Sequence, residues 1–194
     1  MIIDLLGASN IALSLYKDIT GIYRVSTAVN VATMLSENTD FVVRSYVGLT
    51  IAQNNINETS YLDYIDVLQG GDVLFVQGAG NDYGAYIETG DIDSFECNTY
   101  YGALNHIIQS LINKYKFIIL ATGFGVKKNS AYKEYNKAIK AVADKYNLFV
   151  IDFENDERFN EKNTLPDKEH MNESGLKLYT DIVTEVLIKL VADK

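Results

Sequence analysis

The chain has 194 residues, 47% of them hydrophobic and 22% charged, which suffices for one full core and is too apolar for a disordered polypeptide. Its 26 Asp and Glu against 17 Lys and Arg give a net charge of −9, and so acidic a surface repels phosphate backbones, arguing against nucleic acid as a partner. The single cysteine, Cys97, leaves no internal disulfide, and no stretch reaches the roughly 18 uninterrupted apolar residues of a membrane span.

Taken in order, the N-terminus lacks the basic start, long apolar stretch and small-residue cleavage site of a secretory signal. As it stands the chain reads as cytoplasmic, a reading that a longer precursor would change. Residues 2–6 open a series of short runs rich in Val, Ile, Leu and Phe; the others are 41–47, 73–76, 117–121 and 148–151. With little polar alternation, these runs predict strands buried on both faces. Ser9 follows the first run and is expected to open a helix. Ser60, with Asp63 three residues on and Leu62, Ile65 and Leu68 behind it, predicts the N-cap of a short helix. Three stripes of helical period come next, from Tyr101 to Tyr115, from Tyr132 to Tyr146 and from Leu176 to Leu190.

Strand and helix thus alternate along the whole chain, predicting an α/β fold in one domain over residues 1–194: a five-stranded parallel sheet with helices on both faces. In such a sheet, ligands bind outside the carboxyl ends of the strands. The loops that matter are therefore 7–10, 48–53, 77–85, 122–125 and 153–172.

Each of these loops but one carries a residue of chemical interest. Ser9 offers a hydroxyl, although a lone serine there is more often only a cap. Gly48 can mark a turn, or expose a backbone N–H with no side chain in the way. Gly78-Ala79-Gly80-Asn81 lacks the Lys and Ser/Thr of a phosphate loop, which disfavours a nucleotide-binding reading, whereas the Asn81 carboxamide can donate to a developing oxyanion. Of the two histidines, His106 lies among Asn105, Gln109 and Ser110, off the apolar stripe, and reads as solvated. His170 stands three residues after Asp167, a spacing that lets a carboxylate hold the ring tautomer that leaves Nε2 free as a base. With no accompanying His or Cys cluster, a structural zinc site is rejected. Ser9, Gly48, Asn81 and Asp167/His170 follow successive strands onto one rim, where they supply nucleophile, oxyanion donors, base and orienter together.

In these residues the sequence resembles the SGNH, or GDSL-like, hydrolases. That family's four blocks carry Ser, Gly, Asn and His in this order, matched here by Ser9, Gly48, Asn81 and His170, with Asp167 in the family's Asp-x-x-His. The stretch from Asp167 to Gly175 echoes the closing Asp-x-x-His-x-Asn-x-x-Gly. Two positions depart from the usual pattern: Ala8 stands where Gly-Asp-Ser has Asp, and Ala79 where Gly-x-Asn-Asp has Gly. The resemblance implies a three-layer α/β/α sandwich of flavodoxin-like topology. It also implies a serine esterase, without cofactor or metal, acting on small acyl esters such as O-acetyl carbohydrate. The catalytic residues would be Ser9, His170 and Asp167, with the oxyanion hole formed by Ser9, Gly48 and Asn81. The rival reading is a catalytically silent module of the same fold that binds carbohydrate.

Overall fold

The structure, a computed structural model, describes residues 1–8, 11, 14–17, 23–26, 31–47, 50–54, 59–78, 80–124, 130–166 and 170–192. In chain order these form β1 (Ile2–Gly7), β2 (Ser14–Lys17), β3 (Tyr23–Ser26), α1 (Val31–Ser36), β4 (Val42–Val47), β5 (Gly71–Gln77), α2 (Gly80–Gly84), α3 (Tyr100–Leu111), β6 (Tyr115–Ala121), α4 (Ser130–Tyr146), β7 (Phe149–Ile151) and α5 (Glu173–Ala192).

Successive residues of a strand point to opposite faces, and here each face has its own core. Leu6 of β1, Leu74 and Val76 of β5 and Ile118 and Leu120 of β6 pack with Leu104, Ile107 and Ile108 of α3 and Ile139 and Val142 of α4. Their neighbours Ile3 and Leu5, Val73 and Phe75, and Ile119 and Ala121 pack with Leu35 of α1 and Tyr179, Val183 and Leu187 of α5. Because both sides of the strand are covered, the sequence shows unbroken apolar runs instead of alternation. Each large side chain so buried favours folding by about 1.5–3 kcal/mol.

The five strands lie parallel in the order β4-β1-β5-β6-β7. Gly7 of β1 pairs with Val47 of β4, Leu6 with Val76 of β5, and Gln77 of β5 with Ala121 of β6. All five carboxyl ends therefore meet on one rim. The chain leaves β1 toward β4 on one side and returns to β5 on the other, so the order reverses between β1 and β5. That reversal opens the crevice in which such sheets hold ligands.

Four details differ from the sequence reading. First, the residues described directly after Ser9 are not helical: Ile11 lies in a turn, and Ser14–Lys17 is a strand that pairs antiparallel with Tyr23–Ser26 as a separate two-stranded sheet. Four-residue strands are too short to leave a legible period. Second, α1 (Val31–Ser36) is an additional short helix on the α5 side. Third, the helix expected at Ser60 is one 3₁₀ turn, Tyr61–Tyr64, in which the Asp63 carboxylate accepts the Ser60 N–H at 2.8 Å. Fourth, Asp4 interrupts the β1 run at zero exposure. It is held by Nε and Nη2 of Arg44 at 2.6 and 2.7 Å and by the Tyr115 hydroxyl.

Candidate active site

Beyond β1, the Ala8 carbonyl accepts the N–H of Ile11 at 3.0 Å, and the Ile11 carbonyl accepts the N–H of Ala32 of α1 at 3.0 Å. Ile11 is fully buried and folds back over Gly7, where a Cβ would stand 2.5 Å from that of Ile11. Only glycine permits this approach. Ser9 lies between Ala8 and Ile11 in sequence and is outside the described residues, as is Gly48, which comes directly after β4.

On the far side of the crevice, β5 leads into α2. Asn81 is exposed there, and its carbonyl accepts the N–H of Ala85 at 2.8 Å. Next to it, Asp82 is buried, at 2% exposure. Its two carboxylate oxygens accept the N–H of Ile51 at 3.1 and 2.9 Å, and Oδ1 also accepts the N–H of Ala52 at 3.0 Å. Burial pushes the Asp82 carboxyl up to about 7, against the N–H groups of Ile51, Ala52 and its own backbone, which favour the charge. The segment so held is pinned further: the Thr50 hydroxyl donates to the Ala52 carbonyl at 2.7 Å, and the Gln53 N–H donates to the Cys97 carbonyl at 2.8 Å.

His170 is half-buried in the connection between β7 and α5, which is folded back on itself. Thr164 and Met171 form an antiparallel bridge. The Leu165 N–H donates to the His170 carbonyl at 2.8 Å, and the Asn172 N–H to that of Asn163 at 3.0 Å. The Asn172 amide donates to the carbonyls of Lys162 at 2.7 Å and Thr164 at 3.2 Å, while its oxygen accepts the Gly175 N–H at 3.0 Å in the first turn of α5. Gly175 has no room for a Cβ, which would lie 2.1 Å from the Asn163 carbonyl. Phe159 anchors the connection from below, its ring 5.8, 5.5 and 6.3 Å from those of Phe124, Phe153 and Tyr179. Asp167 lies outside the described residues; His106 is exposed on α3.

Of the five residues singled out from sequence, the structure therefore describes two. Asn81 follows β5, at the switch crevice, and His170 stands in a braced loop beyond β7. Sequence reasoning passed over Asp82 and Asn172, the side chains that hold the neighbouring backbone. Both letters stood within the quoted motifs, Asn172 in the closing one and Asp82 as the last of Gly-x-Asn-Asp, but neither letter said which backbone groups the side chain would hold. Among the described residues, no three His, Cys, Asp or Glu side chains are grouped to hold a metal ion, and no helix is long and apolar enough to cross a membrane.

Strand order and rim define an open, doubly wound α/β protein whose order reverses between β1 and β5, the place where such sheets hold ligands. No family model matches the chain, and no curated protein matches it in sequence. Solved structures do match. A possible lipase from Chitinophaga pinensis superposes with a TM-score of 0.74 at 15% identity, covering 97% of this chain and 98% of that one. A candidate GDSL-like lipase from Bacteroides ovatus gives 0.66 at 18% identity, covering 97% and 98%. A variant of an acetyl xylan esterase from Geobacillus stearothermophilus gives 0.60 at 14% identity, covering 92% and 90%. Identities this low speak for the fold alone. The chain has the same three-layer, flavodoxin-like α/β fold as these solved structures.

Proposed function

We propose that the protein is a serine esterase that hydrolyses small acyl esters, with O-acetylated carbohydrate as the preferred class. The observation that supports it best is the rim: β1 and β4 end as a pair, Ser9 comes two residues after β1 and Gly48 directly after β4, Asn81 follows β5, and Asp167 and His170 follow β7 in the chain. Likeness of fold to an acetyl xylan esterase supports the choice of acyl and alcohol groups.

In this mechanism His170 Nε2 takes the proton of the Ser9 hydroxyl as Oγ adds to the ester carbonyl. Asp167 holds the imidazole tautomer and stabilises the imidazolium. The N–H groups of Ser9 and Gly48 and the Asn81 carboxamide bind the oxyanion of the tetrahedral intermediate. Its collapse breaks the bond to the alcohol oxygen, which leaves with the proton from His170. Water, deprotonated by the same histidine, then attacks the acyl-serine and releases the acid and free Ser9.

The deciding experiment is labelling with a fluorophosphonate, which reacts only with an activated serine. Stoichiometric labelling that disappears in Ser9→Ala, together with hydrolysis of 4-nitrophenyl acetate that disappears in parallel, is the expected result. Saturable binding of an acetylated oligosaccharide with neither labelling nor turnover would replace the esterase by a binding module.

A further inference from the structure

A carboxylate withdrawn from water must recover its hydration from hydrogen bonds, and the partners that Asp82 finds are specific in place. They are the consecutive backbone N–H groups of Ile51 and Ala52, which belong to the segment that begins two residues after Gly48. Asp82 itself adjoins Asn81. In the sheet, β4 and β5 are not neighbours; β1 lies between them. Their ends are thus about two strand spacings apart, roughly 9–10 Å. The contact between Asp82 and residues 51–52 bridges that gap. It links the segment after β4 to the turn after β5, on either side of the strand that leads to Ser9.

Resting on the esterase reading above, we infer that Asp82 is a positioning residue: its carboxylate ties the turn carrying Asn81 to the segment following Gly48, and so sets the spacing between these two of the three oxyanion donors. Several features agree with a device for holding distance. The tie uses two adjacent N–H groups and both carboxylate oxygens, so it fixes orientation as well as separation. The receiving segment is braced independently, through the Thr50 hydroxyl to Ala52, the Gln53 N–H to Cys97, and the Tyr61 N–H to the Thr50 carbonyl at 2.9 Å. On the other side, the Ile87 N–H donates to the Asp82 carbonyl at 3.1 Å, so the backbone carrying the carboxylate is also held. Between two braced parts, a short rigid link transmits position. Oxyanion donors act only where the charge develops, and misplacement by about 1 Å can cost on the order of 10²-fold in rate.

The test uses the full chain at about pH 8 with 4-nitrophenyl acetate, and compares wild type, Asp82→Asn, Asn81→Ala and the double variant. Asp82→Asn keeps the size but turns one acceptor into a donor facing N–H groups. The expected result is a fall in kcat of ~10–100-fold with KM within about twofold, and a further fall of less than ~3-fold when the change is made on Asn81→Ala. An equal loss with and without Asn81, or an undiminished kcat, overturns the inference, since a residue that merely stabilises the fold does not act through Asn81. Amide hydrogen exchange gives a second readout that needs no activity: in Asp82→Asn the Ile51 and Ala52 amides should exchange at least ~10-fold faster while those of β5 stay protected. Unchanged exchange at both amides overturns the tie. Should Asp82→Asn fail to fold, Asp82→Glu, which keeps the charge but displaces it, takes its place with the same expectations. A wild type that hydrolyses no ester ends the esterase reading, and amide exchange alone then decides whether the tie exists.

Discussion

The backbone carbonyl of His170 accepts the Leu165 N–H at 2.8 Å, so the candidate base sits in a loop closed by its own backbone. The bridge between Thr164 and Met171 and the bonds of Asn172 complete the closure.

Asn172 is the side chain on which that closure turns. Its amide and oxygen join the carbonyls of Lys162 and Thr164 to the start of α5. Asn172→Ala removes a helix cap and a loop tie together and should cost about 1–2 kcal/mol, measured by urea denaturation. Because the loop carries His170, the variant should also lose more ester hydrolysis than its stability implies. A protein as active and as stable as wild type would show that the loop holds its shape without this residue.

The two histidines should behave oppositely. His170→Ala is expected to reduce kcat nearly as far as Ser9→Ala, and the double variant should be little worse than either, because members of one catalytic unit are not additive. His106→Ala, at an exposed position of α3, should leave kcat/KM within about twofold of wild type. Steady-state kinetics on 4-nitrophenyl acetate reads both, and an essential His106 beside a dispensable His170 would reverse the assignment.

The physics of each element decides how much of it was written in the sequence. The inner strands were legible because both faces are covered, and Ile3, Leu5, Leu74, Phe75, Ile119 and Leu120 are all buried. Helices α3, α4 and α5 were legible because each buries one stripe. The strands Ser14–Lys17 and Tyr23–Ser26 were not, being too short to show a period. For the site, Asn81 and His170 could be picked out as chemistry-bearing letters. The tie made by Asp82 could not, since its partners are the N–H groups of Ile51 and Ala52, and a backbone donor has no letter of its own. Asp4 was hidden in the opposite way, as one polar residue inside an apolar run whose partners Arg44 and Tyr115 lie 40 and 111 residues away.

That Asp4 cluster makes its own prediction. The carboxylate is fully buried, whereas the Arg44 side chain keeps 30% of its exposure. Asp4→Asn leaves a guanidinium and a phenol facing a neutral amide in the core. The loss should be about 3 kcal/mol in equilibrium denaturation, the low end of the range for breaking a buried pair, because Arg44 can turn toward water. Arg44→Met should cost less than Asp4→Asn if the Tyr115 hydroxyl continues to satisfy the carboxylate; the reverse order would place the larger strain on the aspartate side.

Tyr86 carries the cost of a left-handed backbone conformation on a residue other than glycine. Its φ is 55° and its side chain is 90% exposed. It closes α2 in a Schellman arrangement, with its N–H on the Tyr83 carbonyl at 3.2 Å and the Ile87 N–H on the Asp82 carbonyl at 3.1 Å. Glycine is the usual residue at that left-handed position. Asn147, with φ 54°, closes α4 in the same way, but asparagine tolerates the conformation better than tyrosine. Tyr86→Gly should therefore stabilise the protein by about 0.5–1 kcal/mol, the strain released being partly offset by the entropy of glycine in the unfolded chain. A melting temperature that falls would show that the tyrosine ring does contribute to the fold.

The buried carboxyl of Asp82 also makes stability depend on pH, with a definite sign. Burial raises its folded-state value to about 7 from an ordinary 3.8, so between those values the native protein holds a proton that the unfolded chain has released. Stability falls with rising pH wherever the native state binds the extra proton. Asp82 should therefore remove stability progressively from about pH 4 to about pH 7 and no more above that. Asp72 and Asp156 act the other way. The Lys116 ammonium, with the Ile2 N–H, holds Asp72 below the usual carboxylate range, and the Arg158 guanidinium does the same for Asp156. Their contribution is complete above about pH 4 and is lost only as pH falls further, so the two effects occupy separate windows. The groups facing Asp82 do not titrate in its window: burial raises the hydroxyls of Tyr61 and Tyr135 above their usual range, and the Asp82 charge adds to it. Comparing wild type with Asp82→Asn by urea denaturation at several pH values from about 4.5 to about 7.5 isolates the carboxyl. The stability of wild type relative to the variant should decline steadily over that range. A difference that stays constant would mean that the carboxyl has the same affinity for protons folded and unfolded, and that its three N–H contacts fully replace the water it has lost.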